Sequence, residues 1–348
     1  MTDDNSIQAD TSTYYEHISV MPVETLDLLN VQSGKVYIDA TCGAAGHSKL
    51  ILDKLASTGQ LFSFDQDKEV IARHEKEALK HTNWTLVHSN FENIYNYCLE
   101  NSLKIDGGVL FDLGLSSIQL DDPSRGLSFN SNHKLDMRLD PDLEFSAYDV
   151  VNDYPADKLA DIIYKYGEER LSRQIASEIE RTRPLETCKE LAELIKRVYV
   201  RRYSKTFKSN PATKTFQALR IHVNRELEVL ENVLASLSKI LLPGARIVII
   251  SFHSLEDRVT KHVLKELTVN PKKFNKYKNY RSTAADYPEN QGYKVKEASK
   301  NARGAQESLK PEVKLVNLTK KPLTASAAEL EYNARSRSAK LRAYEAIS

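Results

Sequence analysis

The chain has 348 residues, 41% of them hydrophobic, and a formal net charge of +1. That length and composition suit one large globular domain or two and argue against a fibrous or disordered chain, while bulk charge names no partner. Three scattered cysteines, Cys42, Cys98 and Cys188, without a Cys/His cluster argue against a disulfide framework or a zinc site, so no metal is expected and a reducing, cytoplasmic compartment fits.

In chain order, residues 1–13 are polar and acidic, carry no signal-peptide pattern and read as a disordered tail. From Tyr14 structure signals begin. Pro22 opens a helix with Val23, Leu26 and Leu29 near helical spacing, and Gly34 is expected to end it. Val36 to Ala40 reads as a buried strand running into a Gly-containing turn and a second helix. Gly43 and Gly46 let backbone approach a ligand, and Asp39 places a carboxylate at the strand tip, where open α/β sheets bind ligands. A second strand, Gln60 to Phe64, ends in Asp65, 19 residues past Gly46. A carboxylate about 20 residues after such a turn is placed to bind ribose hydroxyls. This leaves a dinucleotide and an adenosyl sulfonium equally open.

A helix over Glu69 to Leu79 and a third strand, Thr85 to His88, follow, then Phe91, which pattern alone makes a core residue rather than an adenine platform. Ile105 to Asp112 is a near-continuous apolar run, the mark of a strand buried on both faces. Alternating strands and helices predict right-handed βαβ units and a parallel sheet. No buried strand is predicted from Ile118 to about Thr215; amphipathic helices are, one opened by a Thr187/Glu190 capping box. The segment Lys189 to Arg225 carries ten Lys/Arg against two Glu, with Arg201, Arg202, Lys205 and Lys208 among Tyr199, Tyr203 and Phe207, a pattern that suits single-stranded nucleic acid. One long helix is expected from Phe216 to Leu241, then a fifth buried strand from Ala245 to Phe252, with His253 at its tip. Lys272 to Gly304 reads as a long flexible loop, Val313 to Leu318 as a sixth strand and Lys340 to Tyr344 as a short last one. The domains predicted are therefore 14–118 with 216–348 for the sheet, and 119–215 for an inserted helical unit. No apolar run approaches the roughly 20 residues that cross a bilayer, so no membrane partner is expected.

Several motifs together resemble one family. They are D-A-T-C-G-A-A-G-H-S (Asp39 to Ser48), D-L-G-L-S-S-I-Q-L-D-D (Asp112 to Asp122), R-G-L-S-F (Arg125 to Phe129), L-D-M-R-L-D-P (Leu135 to Pro141), N-P-A-T-K-T-F-Q-A-L-R-I-H-V-N-R-E-L (Asn210 to Leu227), I-S-F-H-S-L-E-D-R (Ile250 to Arg258) and R-S-R-S-A-K-L-R (Arg335 to Arg342). The chain resembles the bacterial S-adenosylmethionine-dependent 16S ribosomal RNA (cytosine-N4)-methyltransferases. The resemblance implies an α/β fold, a class I methyltransferase Rossmann-like, mostly parallel sheet with an inserted all-helical subdomain. It implies S-adenosylmethionine as cofactor and, as partner, 16S ribosomal RNA in a decoding-centre setting within the assembled small subunit. For cofactor binding it implies Ala45, Gly46 and His47 in the first turn, Asp65 at the ribose, Phe91 at the adenine, Asp112 after the fourth strand and Gln119 beyond it. Ala45 stands where the family has Gly, and tolerance of its methyl implies φ < 0; Cys42 stands where Phe is expected. Arg125, Arg138, Lys214 and Arg220 are the expected RNA contacts.

Methylating an exocyclic cytosine amine requires something to take its proton as the delocalised lone pair localises. The candidates are Asp136, Asp121, Asp122 and His253. Two other readings stay open at this stage, a non-catalytic RNA-binding protein with a vestigial cofactor fold and, ranked lower, an NAD-dependent dehydrogenase. Nothing in the sequence sets the oligomeric state.

Overall fold

The computed structural model describes residues 18–203, 210–269 and 313–348. The expected N-terminal tail, Lys205, Phe207, Lys208 and the loop at 272–304 lie outside the described residues. Among the described residues, seven strands form one sheet in the order β3-β2-β1-β4-β5-β7-β6. The strands are β1 (Val36–Asp39), β2 (Gln60–Asp65), β3 (Trp84–His88), β4 (Gly108–Asp112), β5 (Arg246–Ser251), β6 (Lys314–Asn317) and β7 (Lys340–Ile347). The first five are parallel; β7 runs antiparallel between β5 and β6. The strand expected to end at Tyr344 therefore continues three residues further and pairs on both sides.

The central strands are apolar on both faces because helices cover both. On one face Ile38, Val109, Phe111, Ile247 and Ile249 pack on α4 (Ile94–Glu100), α11 (Glu226–Ser236) and α12 (Ser254–Leu267). The alternate residues Tyr37, Leu110, Val248 and Ile250 pack on α1 (Pro22–Leu29) and α2 (Gly46–Leu55). Period-two alternation thus feeds two cores from each strand. Helix α1 ends earlier than Gly34 predicts, because Asn30 takes the left-handed conformation (φ 53°) and its N–H bonds back to Leu26.

A third core is helical. It gathers Leu135 and Met137 with α6 (Ala147–Asp153), α7 (Ala156–Gly167), α8 (Ser172–Thr182), α9 (Cys188–Tyr203) and α10 (Thr213–Val223). The expected capping box opens α9, with Thr187 and Glu190 each holding the other's backbone N–H. The single long helix expected over 216–241 is two. Helix α10 ends at Val223, and Arg225 (φ 51°) turns the chain before α11 starts at Glu226. Phe216, Leu219 and Val223 bury into the helical core, whereas Leu230, Val233 and Leu234 bury against the sheet. The break lets one apolar stripe serve two cores.

Candidate active site

The carboxyl ends of β1, β2, β4 and β5 open into a cavity of about 580 Å³, closed on its far side by Met137, Leu139 and α10. Asp39 at the tip of β1 is buried beneath the first turn rather than facing the cavity. It accepts from Ser48 Oγ at 2.6 Å and from the Thr41 N–H at 3.1 Å, and Ser48 continues through Ser63 to the Trp84 indole N–H. Burial pushes its carboxyl up to about 7 despite those bonds. Gly43 sits at φ +51°, and a Cβ there would touch Ser116 Cβ at 3.4 Å. Its N–H donates to Asp65 Oδ2 at 2.9 Å, while Asp65 Oδ1 takes the Asp67 N–H at 2.9 Å. Asp65 is itself raised to about 6, chiefly by burial.

Asp112 is the most perturbed of the three acids. Burial, then the charges of Asp39 and Glu256, push it up to about 8; the pull of Arg335, also on the cavity wall, is outweighed. Its N–H donates to Thr41 Oγ1 at 2.8 Å, its Oδ2 lies 3.6 Å from His47 Nε2, and its buried Oδ1 has no hydrogen-bond partner among the described residues. Phe91 lines the cavity edge-on to Phe111, with ring centroids 5.7 Å apart, and Gln119 closes a capping box with Ser116 at the start of α5 (Ser117–Asp121).

These features fit S-adenosylmethionine. Buried acids held above their ordinary range favour a cation that restores their charge. Glycine backbone, a strand-tip carboxylate and an aromatic edge are what a nucleoside needs. Gly46, His47, Asp65, Phe91, Asp112 and Gln119 all line the cavity. Ala45 does not: it is fully buried in the core, with Ala44 and Gly46 facing the cavity instead. The condition φ < 0 also fails, since Ala45 sits at φ 59°, and its methyl is accommodated by packing among apolar neighbours such as Ile51 and Val20. Cys42, buried at the same turn, lines the cavity.

The proton-acceptor candidates fare differently. Asp136 lies off the cavity wall and forms a two-point pair with Arg138, whose bonds hold its carboxyl below the ordinary range against burial. Asp122 accepts from Ser124 and pairs with Arg125, also away from the cavity wall. Asp121 ends α5, and its side chain lies outside the described set. His253 does line the cavity, but it caps α12: Nδ1 accepts the Glu256 N–H at 3.3 Å, and Nε2 lies 3.1 Å from Glu256 Oε1. Nδ1 is thus taken up by the cap, while Nε2 lies beside the Glu256 carboxylate without a hydrogen bond among the described residues.

The expected RNA contacts are also engaged within the chain. Arg125 is buried against Asp67 at 2.7 Å, Arg138 binds Asp136 and two carbonyls, and Lys214 donates to the Glu168 carbonyl. Arg220 lines the cavity and grips Glu226 through both carboxylate oxygens at 2.8 and 2.9 Å. Sequence reasoning missed Glu226, Glu256 and Arg335 on the wall. The signal for Glu256 was its place three residues after His253 at a strand-to-helix junction, the spacing of a capping box.

Comparison with known proteins gives a consistent result. A family model described as the MraW methylase family matches residues 14–287. A protein of Fusobacterium nucleatum named ribosomal RNA small subunit methyltransferase H is 41% identical over 335 residues, 95% of this chain and 97% of that protein. One of the same name from Caldicellulosiruptor saccharolyticus is 43% identical over 338 residues, covering 96% of this chain and all of that protein.

Proposed function

The chain belongs to the MraW methylase family, and on that premise we propose that it transfers a methyl group from S-adenosylmethionine to the exocyclic N4 of a cytidine in 16S ribosomal RNA. The observation that carries this reading is the cavity with Asp65 and Asp112 on its wall and Asp39 beneath its turn, built for a cationic nucleoside. Bound S-adenosylmethionine supplies a methyl already activated on a sulfonium. The chain's residues do the rest. The Gly43–Gly46 backbone admits the cofactor, Asp65 takes the ribose hydroxyls, and Phe91 borders the adenine. Met137, Leu139 and α10 wall the substrate side.

We assign the proton acceptor to Asp112 in place of the four candidates from the sequence. Its Oδ1 is buried and without a hydrogen-bond partner among the described residues, and once the bound cation restores the carboxylate's charge that oxygen can take the N4 proton. Replacing Asp112 by Asn is expected to lower turnover at least about a hundredfold while the cofactor dissociation constant moves less than about tenfold. Equal losses in both would return Asp112 to cofactor binding.

The RNA partner is read as the assembled small subunit in the cytoplasm, with the decoding centre as target region. The exposed cations of α9, Lys196, Arg197 and Arg202, support the RNA contact. No helix among the described residues is long and apolar enough to cross a membrane. The test is transfer of labelled methyl from S-adenosylmethionine to small subunits lacking this modification, followed by nucleoside analysis. Label in N4-methylcytidine is the expected result. Cofactor binding without label in the RNA would refute the substrate, and binding of NAD instead would refute the cofactor.

A further inference from the structure

Arg125 follows the turn after α5, at the point where the chain leaves the sheet for the helical core. It is 8% exposed. Its Nη2 donates to Asp67 Oδ2 at 2.7 Å and to Glu69 Oε2 at 3.2 Å, and its Nε lies 3.6 Å from Asp122. An RNA phosphate would have to displace three carboxylates to reach it.

Asp67 is fully buried, and each of its polar groups has a defined task. Oδ1 takes the Glu69 N–H at 3.0 Å and caps α3 (Lys68–Ala78), Oδ2 takes Arg125, and the backbone N–H donates to Asp65 Oδ1. Asp65 Oδ2 then takes the Gly43 N–H. A continuous relay therefore runs from Arg125 through Asp67 and Asp65 to the first turn. At its other end the Arg125 carbonyl accepts the Met137 N–H at 3.0 Å, and Met137 lines the substrate side of the cavity.

We propose that Arg125 is a positioning residue for the cofactor: through Asp67 it sets the Asp65 carboxylate for the ribose, and it ties that carboxylate to the Met137 segment of the opposite wall. The physical reason is charge. Asp67 is a buried carboxylate two residues from Asp65. Without the guanidinium it is an uncompensated buried charge, a strongly unfavourable state that the loop relieves by moving. The displaced group is then the backbone N–H that orients Asp65. The fork geometry matters as well as the charge, because Nη2 spans Asp67 and Glu69 while Nε faces Asp122.

This inference rests on reading the cavity as an S-adenosylmethionine site. The test is calorimetric titration of S-adenosylmethionine into the full chain, with thermal unfolding recorded beside it. Arg125→Met is expected to weaken binding about tenfold or more, and Arg125→Lys, which keeps charge but not the fork, by less. The deciding measurement is a double-mutant cycle with Asp65→Asn. If Arg125 acts through Asp65, Arg125→Met costs less than about twofold once Asp65 is Asn. Losses that multiply independently would overturn the proposal and leave Arg125 a support of the fold. So would unchanged affinity in folded Arg125→Met. Should that variant fail to fold, Asp67→Asn keeps the helix cap and removes the ion pair, and the same loss and the same non-additivity are expected. A wild-type chain that does not bind S-adenosylmethionine would refute the reading of the cavity itself.

Discussion

Asp112→Asn should stabilise the cofactor-free protein, and by more as pH rises. The folded chain holds Asp112 at about 8 against an ordinary 3.8, through burial first and then the charges of Asp39 and Glu256. Unfolded, the residue ionises near its ordinary value. Between about pH 4 and pH 8 the unfolded chain gives up a proton that the folded chain keeps. Stability is therefore full below the lower value and is lost towards the upper one, by at most about 1.4 kcal/mol per pH unit. The span sets a ceiling of about 5–6 kcal/mol, and relaxation around the ionised group leaves several kcal/mol of it observable. Asparagine keeps the shape and has no proton to lose. Urea unfolding of both proteins at pH 5 and pH 8, without cofactor, should show the variant's advantage widening by about 2–4 kcal/mol. An advantage that stays the same at both pH values would refute the claim that folding holds Asp112 protonated.

Three further outcomes follow from the geometry. Relief of left-handed strain at Ala45 is worth about 1–2 kcal/mol. Loss of its buried methyl costs about 0.8 kcal/mol and added backbone freedom about 0.4–1 kcal/mol. Ala45→Gly should therefore unfold within about 1 kcal/mol of wild type, whereas Ala45→Val should lose at least about 2 kcal/mol; a costly glycine would mean that packing, not φ, governs the position. Asn224 accepts the Leu139 N–H and donates to the Met137 carbonyl, both at 2.8 Å. Asn224→Ala leaves both unpaired and should cost about 2–5 kcal/mol in urea unfolding, a loss under 1 kcal/mol showing that the segment relaxes freely. RNA affinity should fall steeply with salt, and neutralising Lys196, Arg197 and Arg202 should flatten the log–log slope by about 2. An unchanged slope would remove these three α9 cations from the RNA interface.

The sheet was legible because its strands are buried on both faces, so Val36–Asp39, Gln60–Asp65, Gly108–Asp112 and Arg246–Ser251 stand out as apolar runs ending in Asp or Ser. Their order was not legible, since pairing is non-local. Nothing in K-L-R-A-Y-E-A-I says that this strand slots antiparallel between two others. The residues from Phe216 to Leu241 show the same limit in a helix. Their apolar spacing runs straight through Asn224 and Arg225, and only the two separate cores on either side of the break require it.

The arginines carry the sharper lesson for the site. The resemblance marked Arg125, Arg138 and Arg220 as RNA contacts. Whether a guanidinium meets a phosphate or a carboxylate depends on what the fold brings to its other end. Asp67 is 58 residues from Arg125 in sequence, and it comes within 2.7 Å only because α3 and the turn after α5 meet at the strand tips. Arg220 and Glu226 straddle the break between α10 and α11, so their pairing exists only because that helix is broken. The strand-tip acids behave oppositely. A buried strand carries its terminal carboxylate to the carboxyl edge of the sheet, so Asp65 and Asp112 were legible from local pattern, whereas Asp39, at the same edge, turns under the first turn to Ser48 and Thr41. Residues whose position follows from one element can be assigned from sequence, and residues whose role follows from a partner elsewhere in the fold cannot.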